Sequence, residues 1–449
     1  MKRFFLPLLL IISSYSYAQT IIRKDPRIQK MVSEVNADTL RSYINSLVAF
    51  GTRHTLSDTK NAKRGIGAAR EWVVSKFSEF AKNSNGRMTA MLDRWTLQPD
   101  NRRVDVVADM GNPMAILKGT DPNDKRVFII SGHLDSRVSD IKNRTADAPG
   151  ANDDASGVAA LMECARIMSK QPFSATIIFA ALSGEEQGLL GGERLSQISK
   201  DSSVNIGGVL NNDIMGSNHS NETNIIDNTR VRVFSEGLPA FELDKKAAAI
   251  RQLGLENDGI SRQLARYVKE IGERYVANLE VVLIYRNDRF LRGGDHTPFV
   301  QRGFPAVRIT EMNENYNHQH QDLRTENNVE YGDYAKFMDF EYLRKNTALN
   351  LATLANMASA PGVPEDVKIE VRQLTNSTLL TWKPPVSGKP SGYYVLLRPT
   401  HESQWQKKVY TSETELRLPY SKDNYFFAVQ SVNEKGNESV MIVPGIGRN

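Results

Sequence analysis

Histidine and acidic residues that could bind a metal ion occur in five short clusters along this 449-residue chain. The clusters are SGHLDS (131–136), PGANDDASG (149–157), SGEEQG (183–188), NND (211–213) and YNHQHQD (316–322). We place the first four just after predicted strands. In an open α/β sheet, ligands bind beyond the carboxyl ends of the strands, so residues distant in sequence meet there. We therefore expect these clusters to converge in one crevice.

The combination of residue types in these clusters indicates a metal centre. Carboxylates gathered closely repel one another and are costly to bury without a cation. Two histidines and three carboxylates suit zinc or another divalent transition metal. Two metals ~3.5–4 Å apart, bridged by one carboxylate, would use all five ligands. One glutamate of the Glu185-Glu186 pair would then be left free to act as a base.

The elements that would position these clusters follow from the hydrophobic periodicity. The pattern is helical from about residue 28 to 85 and changes near residue 103 to strands alternating with helices. The predicted strands cover 126–133, 176–183, 208–215, 280–286 and 305–311, and the later predicted helices cover 155–170, 186–199, 261–277 and 331–357. This alternation predicts an α/β fold with a mostly parallel central sheet covered by helices on both faces.

The chain changes character after APGVP (360–364), which breaks the helical pattern. Short apolar segments separated by turn residues then predict a small all-β sandwich over residues 363–449. Trp382 in LTWKPP and Tyr425 in NYFFAVQSV give this segment a resemblance to a fibronectin type III domain. We expect the sandwich to contact a surface or polymer, or to act as a spacer or stabiliser, and to be dispensable for chemistry.

Five motifs give the preceding region a more specific resemblance. They are GHLDS, APGANDDASG, SGEEQGLLG, NND and GGDHTPFVQRGFPA. This series resembles the co-catalytic zinc exopeptidase family typified by bacterial leucyl aminopeptidase, with glutamate carboxypeptidase II and glutaminyl cyclase as distant relatives. The resemblance implies a zinc exopeptidase domain over residues 19–360, in which 19–45 is either a propeptide or an N-terminal extension.

The resemblance also implies a ligand set for two zinc ions, with Asp153 bridging them. The other implied ligands are His133, Glu186, Asp213 and one of His318 and His320. His318 has Asp322 four residues later, as the family pattern requires, although Asn317 replaces the usual preceding tyrosine. His320 lies nearer the segment that enters the final helix, and we prefer it while leaving the choice open.

Several further residues take roles by the same resemblance. Glu185 is the implied general base, and Asp135 should accept a hydrogen bond from the far nitrogen of His133. Residues implied to support the ligands or line the substrate pocket are Asp154, Asp295, His296 and Tyr316. No cofactor other than the two zinc ions is expected.

The implied function is that of a secreted zinc-dependent aminopeptidase acting on peptides, with Glu185 activating a metal-bridging water. A carboxypeptidase or dipeptidase of the same family is the first alternative. It would need a basic residue, such as Arg292 or Arg308, for a C-terminal carboxylate. A one-zinc glutaminyl cyclase and a non-catalytic binding protein are less favoured, because Glu185 and the ligands for both metals are present.

Composition and the N-terminus limit the remaining classes. Residues 1–18 have the basic start, apolar stretch and small-residue cleavage site of a signal peptide, so we expect a secreted or periplasmic protein. Losing Lys2 and Arg3 with this segment would lower the net charge from +5 to +3, too little for a nucleic-acid-binding footprint. The single cysteine, Cys164, excludes an intramolecular disulfide. No later apolar segment is long enough for stable membrane insertion.

Overall fold

The computed structural model of this chain describes residues 20–100, 102–238, 247 and 250–446. The predicted signal peptide, residues 1–18, lies outside the described residues. An α/β domain extends to Ser359, and a β-sandwich follows it. Among the residues described, no helix is both long and apolar enough to cross a membrane.

The described part of the α/β domain has eight α-helices with assigned bounds, one 3-10 helix (Ala335–Phe337) and ten strands. The helices are α1 (Pro26–Ser33), α2 (Ala37–Val48), α3 (Ile66–Ala81), α4 (Ala155–Met168), α5 (Leu190–Asp201), α6 (Ile260–Tyr275), α7 (His296–Gln301) and α8 (Phe340–Ser359). The strands are β1 (Met88–Leu97), β2 (Ala108–Leu117), β3 (Arg126–His133), β4 (Thr176–Leu182), β5 (Asn205–Asn212), β6 (Arg230–Phe234), β7 (Glu280–Ile284), β8 (Ala306–Glu311), β9 (Arg324–Glu326) and β10 (Val329–Tyr331).

The central sheet has the strand order β1-β2-β4-β3-β5-β8-β6-β7. Its middle strands, β4, β3, β5 and β8, are parallel, as predicted. The prediction missed β1 and β2, which form an antiparallel hairpin at one edge of the sheet, and β2 pairs antiparallel with β4. Asn112 and Pro113 in the middle of β2 are poor strand formers, so its sequence lacks the apolar run of a buried strand.

Two predicted helices begin later than expected. The segment predicted as helical from residue 186 is a turn as far as Leu189, and α5 starts at Leu190. The final helix starts at Phe340 rather than at 331, because Asp339 caps it by accepting hydrogen bonds from the amides of Glu341 and Tyr342. The first difference affects the site, since the turn before α5 carries the Glu185-Glu186 pair.

The first helices belong to the core of the α/β domain. Ile28 of α1 and Leu40 and Ile44 of α2 have no exposed surface. They join one buried apolar cluster that also includes residues of α4, α6 and α8. Burying such a side chain contributes about 1.5–3 kcal/mol, so removing residues 19–45 would uncover the core at substantial cost.

The sandwich consists of one four-stranded and one three-stranded sheet. Its strands are β11 (Glu365–Ile369), β12 (Thr378–Lys383), β13 (Gly392–Pro399), β14 (Lys407–Thr411), β15 (Glu415–Leu418), β16 (Tyr425–Val432) and β17 (Gly445–Ile446). Trp382 is buried between the sheets, with its ring 5.4 Å from that of Tyr393. This buried tryptophan is one of the two residues, with Tyr425, on which the expected fibronectin type III likeness was based.

Two buried clusters of ion pairs join the sandwich to the α/β domain. Asp258 lies 2.6 Å from Arg266 of α6 and 2.7 Å from Arg398 of β13. Glu438 of the sandwich lies 2.7 Å from Arg274 of α6 and 2.9 Å from Lys408 of β14.

The N-terminal segment also crosses this junction. The Asp25 amide donates a hydrogen bond to the Tyr275 hydroxyl, and the Asp25 carboxylate accepts one from the side chain of Asn437. The sandwich is therefore packed against the α/β domain through charged and polar groups rather than held on a free linker.

Candidate active site

The site lies at the carboxyl ends of the middle strands. β3 ends at His133, β5 leads into Asp213, and the turn after β4 carries Glu185 and Glu186. Asp153 was expected just after a strand, but it lies immediately before α4, in a loop that returns to the strand ends. The peptide bond between Asp153 and Asp154 is cis.

Two groups of ligand-type atoms share Asp153. In the first group, His133 Nε2 lies 3.0 Å from Asp153 Oδ1 and 3.7 Å from Asp213 Oδ1. In the second, His320 Nε2 lies 3.0 Å from Asp153 Oδ2 and 2.8 Å from Glu186 Oε1. Within each group the three atoms lie within 4.8 Å of one another. Each oxygen of Asp153 therefore faces a different histidine, as in a bridging carboxylate.

The structure brings His320, and not His318, into this cluster. The ring of His318 stacks on Phe337 at a centroid distance of 3.8 Å, in a different pocket. Burial and the nearby His219 lower the pKa of His318 to about 4. The choice left open by the sequence thus falls on His320 by position, while His318 contributes to packing.

The charges of the cluster fit a pair of divalent cations. Burial alone would lower the pKa of His133, but Asp153 and Asp213 raise it well above its ordinary value. Burial is likewise outweighed at His320, where Glu186 and Asp153 raise the pKa to about 10. Glu186 Oε1 and Asp213 Oδ1 are buried and accept no hydrogen bond within the described chain. Positive charge is therefore favoured between these carboxylates, and imidazole and carboxylate are ligands that zinc prefers.

Asp135 acts differently from the expectation. The backbone carbonyl of Asp135, and not its carboxylate, accepts the hydrogen bond from His133 Nδ1 at 3.0 Å. Because Nδ1 carries the proton in this contact, the lone pair of Nε2 is free and points toward the cluster. The carboxylate oxygens accept hydrogen bonds from the successive amides of Gly184, Glu185 and Glu186 and from the Thr55 hydroxyl. Asp135 therefore fixes the turn that presents the glutamate pair.

Glu185 lines the cavity beside the cluster but belongs to neither ligand group. Burial, followed by the nearby Glu186 and Asp213 carboxylates, raises its pKa well above the ordinary value although His133 acts in the opposite direction. Adjacent residues of one turn thus face different ways: Glu186 faces Asp153 and His320, while the Glu185 carboxylate remains available to a molecule in the cavity.

Of the other residues expected to support the ligands or line the pocket, three are buried near the site and one is exposed. Asp154 is buried and accepts hydrogen bonds from the amides of His133 and Gly157, so it ties β3 to the start of α4. Asp295 is buried next to α7, and burial raises its pKa to about 7. His296 bonds through Nε2 to the Asn287 carbonyl at 2.8 Å. Tyr316 is 52% exposed and does not line the cavity, so its expected pocket role is not supported by position.

Sequence reasoning missed several residues that contact the cluster. Arg137 Nε donates to Glu186 Oε2 at 2.8 Å, and its Nη2 lies 2.6 Å from His320 Nδ1. Asp333 accepts hydrogen bonds from the amides of Asn152 and Asp153. Only Arg137, which directly follows SGHLDS, carried a signal in the sequence.

Arg308 is a further contact of the cluster. Its guanidinium lies 3.0 Å from Asp213 and 2.8 Å from Asp288. It was an expected candidate for binding a substrate carboxylate, but it is fully buried and paired with these two carboxylates. Arg308 therefore holds the Asp213 carboxylate in place and is not exposed to a substrate in the cavity.

A cavity of about 420 Å³ opens onto the cluster. Four arginines line it together with the ligand-type residues and Glu185, namely Arg103, Arg137, Arg289 and Arg292. Apolar lining comes from Leu189, Ile214 and Leu291. The arrangement therefore combines a metal-binding floor, a free carboxylate and a basic rim.

Comparison with known proteins decides the family. A model of peptidase family M28 matches residues 112–340. A probable zinc metalloprotease of Leptosphaeria maculans is 44% identical over 430 residues, covering 95% of this chain and 99% of that protein. The chain belongs to peptidase family M28. It is a zinc peptidase, and its C-terminal sandwich matches a model of the fibronectin type III domain over residues 362–443.

Further relatives extend the family assignment over both domains. A probable zinc metalloprotease of Pyricularia oryzae is 42% identical, with 94% of this M28 peptidase and 84% of that protein covered. The crystal structure of the Legionella pneumophila LapA aminopeptidase is 18% identical with a TM-score of 0.55, and 80% of each chain is covered. LapB from Legionella pneumophila is 15% identical with a TM-score of 0.53, covering 77% of this chain and 78% of that chain. The two Legionella structures show that the fold is shared.

Proposed function

We propose that this zinc peptidase is an aminopeptidase that uses two zinc ions. The observation that carries the proposal is the pair of ligand groups sharing Asp153, with the Glu185 carboxylate beside them in the same cavity. His133 and Asp213 would hold one ion, Glu186 and His320 would hold the other, and Asp153 would bind both. The fold is shared with a protein described as an aminopeptidase, LapA, which supports the same activity.

The residues of this chain would divide the chemical work. When bound, zinc polarises a carbonyl and lowers the pKa of bound water. Glu185 takes a proton from the attacking water and delivers one to the leaving amine, since its carboxylate is free and faces the cavity. Asp135 keeps Glu185 in place through the three amides of the turn. His133 is held in the tautomer that leaves Nε2 free to bind metal.

The direction of attack depends on the charged groups that line the cavity. Glu185 and Asp213 line the cavity and supply negative charge for the α-ammonium of a free N-terminus. One observation favours the second candidate, a carboxypeptidase or dipeptidase: Arg292 also lines the cavity and could face a C-terminal carboxylate.

Hydrolysis of a leucyl anilide and its N-acetylated counterpart separates the two directions. An aminopeptidase should cut the free-amine substrate at least about tenfold faster, because acetylation removes a charge-assisted contact. Activity should disappear with 1,10-phenanthroline and return with zinc, and the purified protein should hold about two zinc ions. Faster cleavage of N-acetylated peptides, with release of their C-terminal residue, would establish the carboxypeptidase.

We further propose that the protein is exported, on the basis of the signal-peptide pattern in residues 1–18. N-terminal sequencing of the mature protein should find Gln19 as the first residue. A mature chain that begins at Met1 would contradict export by cleavage at this site, whereas one that begins after residue 45 would indicate a propeptide.

A further inference from the structure

We propose that the cavity selects substrates that carry a carboxylate close to the scissile bond, and that Arg103 and Arg292 bind this carboxylate. The inference rests on the proposed peptidase function and names its substrate class. It starts from the composition of the cavity rim, where the described lining residues include four arginines and no lysine. Each acidic residue among them is either Glu185 or a member of the two ligand groups that share Asp153.

Two of the four arginines are already paired with carboxylates of this chain. Arg137 Nε lies 2.8 Å from Glu186 Oε2, and Arg289 Nη1 lies 2.7 Å from Glu314 Oε2. The exposed fractions of these two arginine side chains are only 16% and 14%. Their guanidinium groups therefore support the site and have little capacity for a substrate.

The other two arginines, Arg103 and Arg292, form no ion pair with a carboxylate among the described residues. Arg103 Nη1 donates to the backbone carbonyl of Glu186 at 2.8 Å, which holds this exposed side chain beside a metal-ligand residue. Within residues 20–100, 102–238 and 250–446, Arg103 has no carboxylate partner. Over the same ranges the exposed Arg292 side chain has neither an ion pair nor a hydrogen bond. A guanidinium fork matches a carboxylate in geometry and charge, so these two groups are suited to an anionic substrate.

The charge balance of the cavity favours the same substrates. Two divalent ions would balance the total charge of the four carboxylates that line it, which are those of Asp153, Glu185, Glu186 and Asp213, while Glu185 would keep its own local charge. The arginines at the rim would then leave the cavity positively charged. A cleft lined by one sign of charge raises the local concentration of ligands of the opposite sign. A carboxylate would therefore be attracted more strongly than a neutral group of the same shape.

Two sources could supply this carboxylate in a peptide. One is the side chain of an acidic N-terminal residue, and the other is the C-terminal α-carboxylate of a dipeptide. Two substrate pairs distinguish them: glutamyl against glutaminyl anilide, and leucyl-alanine against leucyl-alanine amide. Each pair differs by one charge and almost no volume. We expect kcat/KM to favour the charged member of one pair by roughly 10- to 150-fold, and that pair identifies the source.

Substitution then links this preference to the arginines. Arg292→Gln and Arg103→Gln should each reduce the charged-to-neutral ratio of kcat/KM, and the double variant should bring it close to one. Arg286→Gln is the matched control, because Arg286 lies on the loop that carries Arg292 but stacks on Phe290 at 3.6 Å and does not line the cavity. Zinc content is measured for every variant. The control should retain both the ratio and the activity of the natural sequence.

Three results would overturn the inference: no preference in either pair, a ratio that survives the double substitution, or a ratio that falls equally in Arg286→Gln. Failure of the proposed direction appears separately, in N-acetylated leucyl-alanine. If this acetylated peptide is cut with an arginine-dependent preference for its free carboxylate, the carboxylate site is supported and the aminopeptidase proposal is wrong. If neutral free-amine substrates are cut without any preference, the aminopeptidase stands and the carboxylate site is wrong.

Discussion

Two regions of this molecule bury carboxylates, and they balance the charge in opposite ways. At the junction between the domains, Glu438 has no exposed surface and is paired with Arg274 and Lys408. Burial alone would raise the pKa of Glu438, but these two cations outweigh it and hold the pKa below its ordinary value. In the two groups of ligand-type atoms that share Asp153, by contrast, the buried oxygens Glu186 Oε1 and Asp213 Oδ1 accept no hydrogen bond within the described chain.

The difference separates a structural charge cluster from a functional one. A buried carboxylate whose partners lie in the same chain is complete when the chain has folded, and losing a partner destabilises the fold. The four carboxylates that line the cavity outnumber the two arginines, Arg137 and Arg308, that pair with them among the described residues, so an external cation would balance the remaining negative charge. Substitutions at the metal cluster should therefore alter metal content and rate, whereas substitutions at the junction should alter stability.

The largest effect is expected at Glu185. Glu185→Gln should lower the rate by ~10²–10⁴ while zinc content stays near normal, because the amide replaces a base and not a ligand. Single-turnover rates and metal analysis provide the measurements. Glu193→Gln is the control, since Glu193 is a half-exposed residue of α5 that pairs with Arg302. Loss of zinc in Glu185→Gln with retention in Glu186→Ala would reverse the two roles.

A smaller but specific effect is expected at the paired histidines. His320→Asn should remove about one zinc ion per chain, because His320 is the imidazole of the second ligand group. His318→Asn provides a matched control two residues away, since His318 stacks on Phe337 outside the cluster. Zinc content of both purified variants is the readout. Equal zinc loss in the two variants would contradict the assignment of His320.

At the junction, the expected effect is on folding. Glu438→Gln should lower the free energy of unfolding by roughly 1–3 kcal/mol, because Arg274 and Lys408 lose the buried carboxylate that they share and keep only Glu270 as a partner. Denaturant titration measures this change, and Glu434→Gln, on the exposed surface of the same loop, should change the free energy of unfolding little.

The same contacts bear on the expectation that the sandwich is dispensable for chemistry. A chain ending at Ser359 keeps every candidate catalytic residue, but it should be less stable than the full chain because the junction contacts are lost. A fully stable truncated domain would show that the junction is not structural.

The smallest effect is the pH dependence of that junction. Because the folded pKa of Glu438 is lowered, its stabilising contribution is fully present above the unfolded pKa of about 4.3 and is lost as pH falls through the folded value. The stability difference between the natural sequence and Glu438→Gln should therefore be constant from pH 7 to about 5 and shrink in more acidic solution. A difference that grows on acidification would contradict the lowered pKa.

The sequence was most informative where local pattern and structure coincide. The strand 126–133 was predicted with its observed bounds, because a buried parallel strand is a continuous apolar run. β2 was missed because Asn112 and Pro113 conceal it, and its strand character depends on neighbours distant in sequence. Ligand-type residues could be found because they lie in recognisable motifs, either just after a strand or just before a helix start.

What the sequence could not provide were contacts between segments that carry no motif. Arg308 and Asp333 reach Asp213 and the Asp153 amide only through the tertiary fold. The role of Asp135 was also mistaken, because a motif does not distinguish a backbone carbonyl from the carboxylate of the same residue. Likewise, the spacing to Asp322 favoured His318, and only the path of the loop after β8 brings His320 to the cluster.

The contact between Asp25 and Asn437 has a consequence for the order in which the molecule can be completed. These residues are separated by 412 positions, yet their side chains form a hydrogen bond at the junction between the two domains. During synthesis, Asp25 emerges from the ribosome long before Asn437, so this side-chain hydrogen bond cannot form until nearly the whole chain has been made, whereas the bond from the Asp25 amide to Tyr275 can form earlier. The contact between Asp25 and Asn437 is therefore among the last to form, and a chain interrupted before Asn437 would lack it.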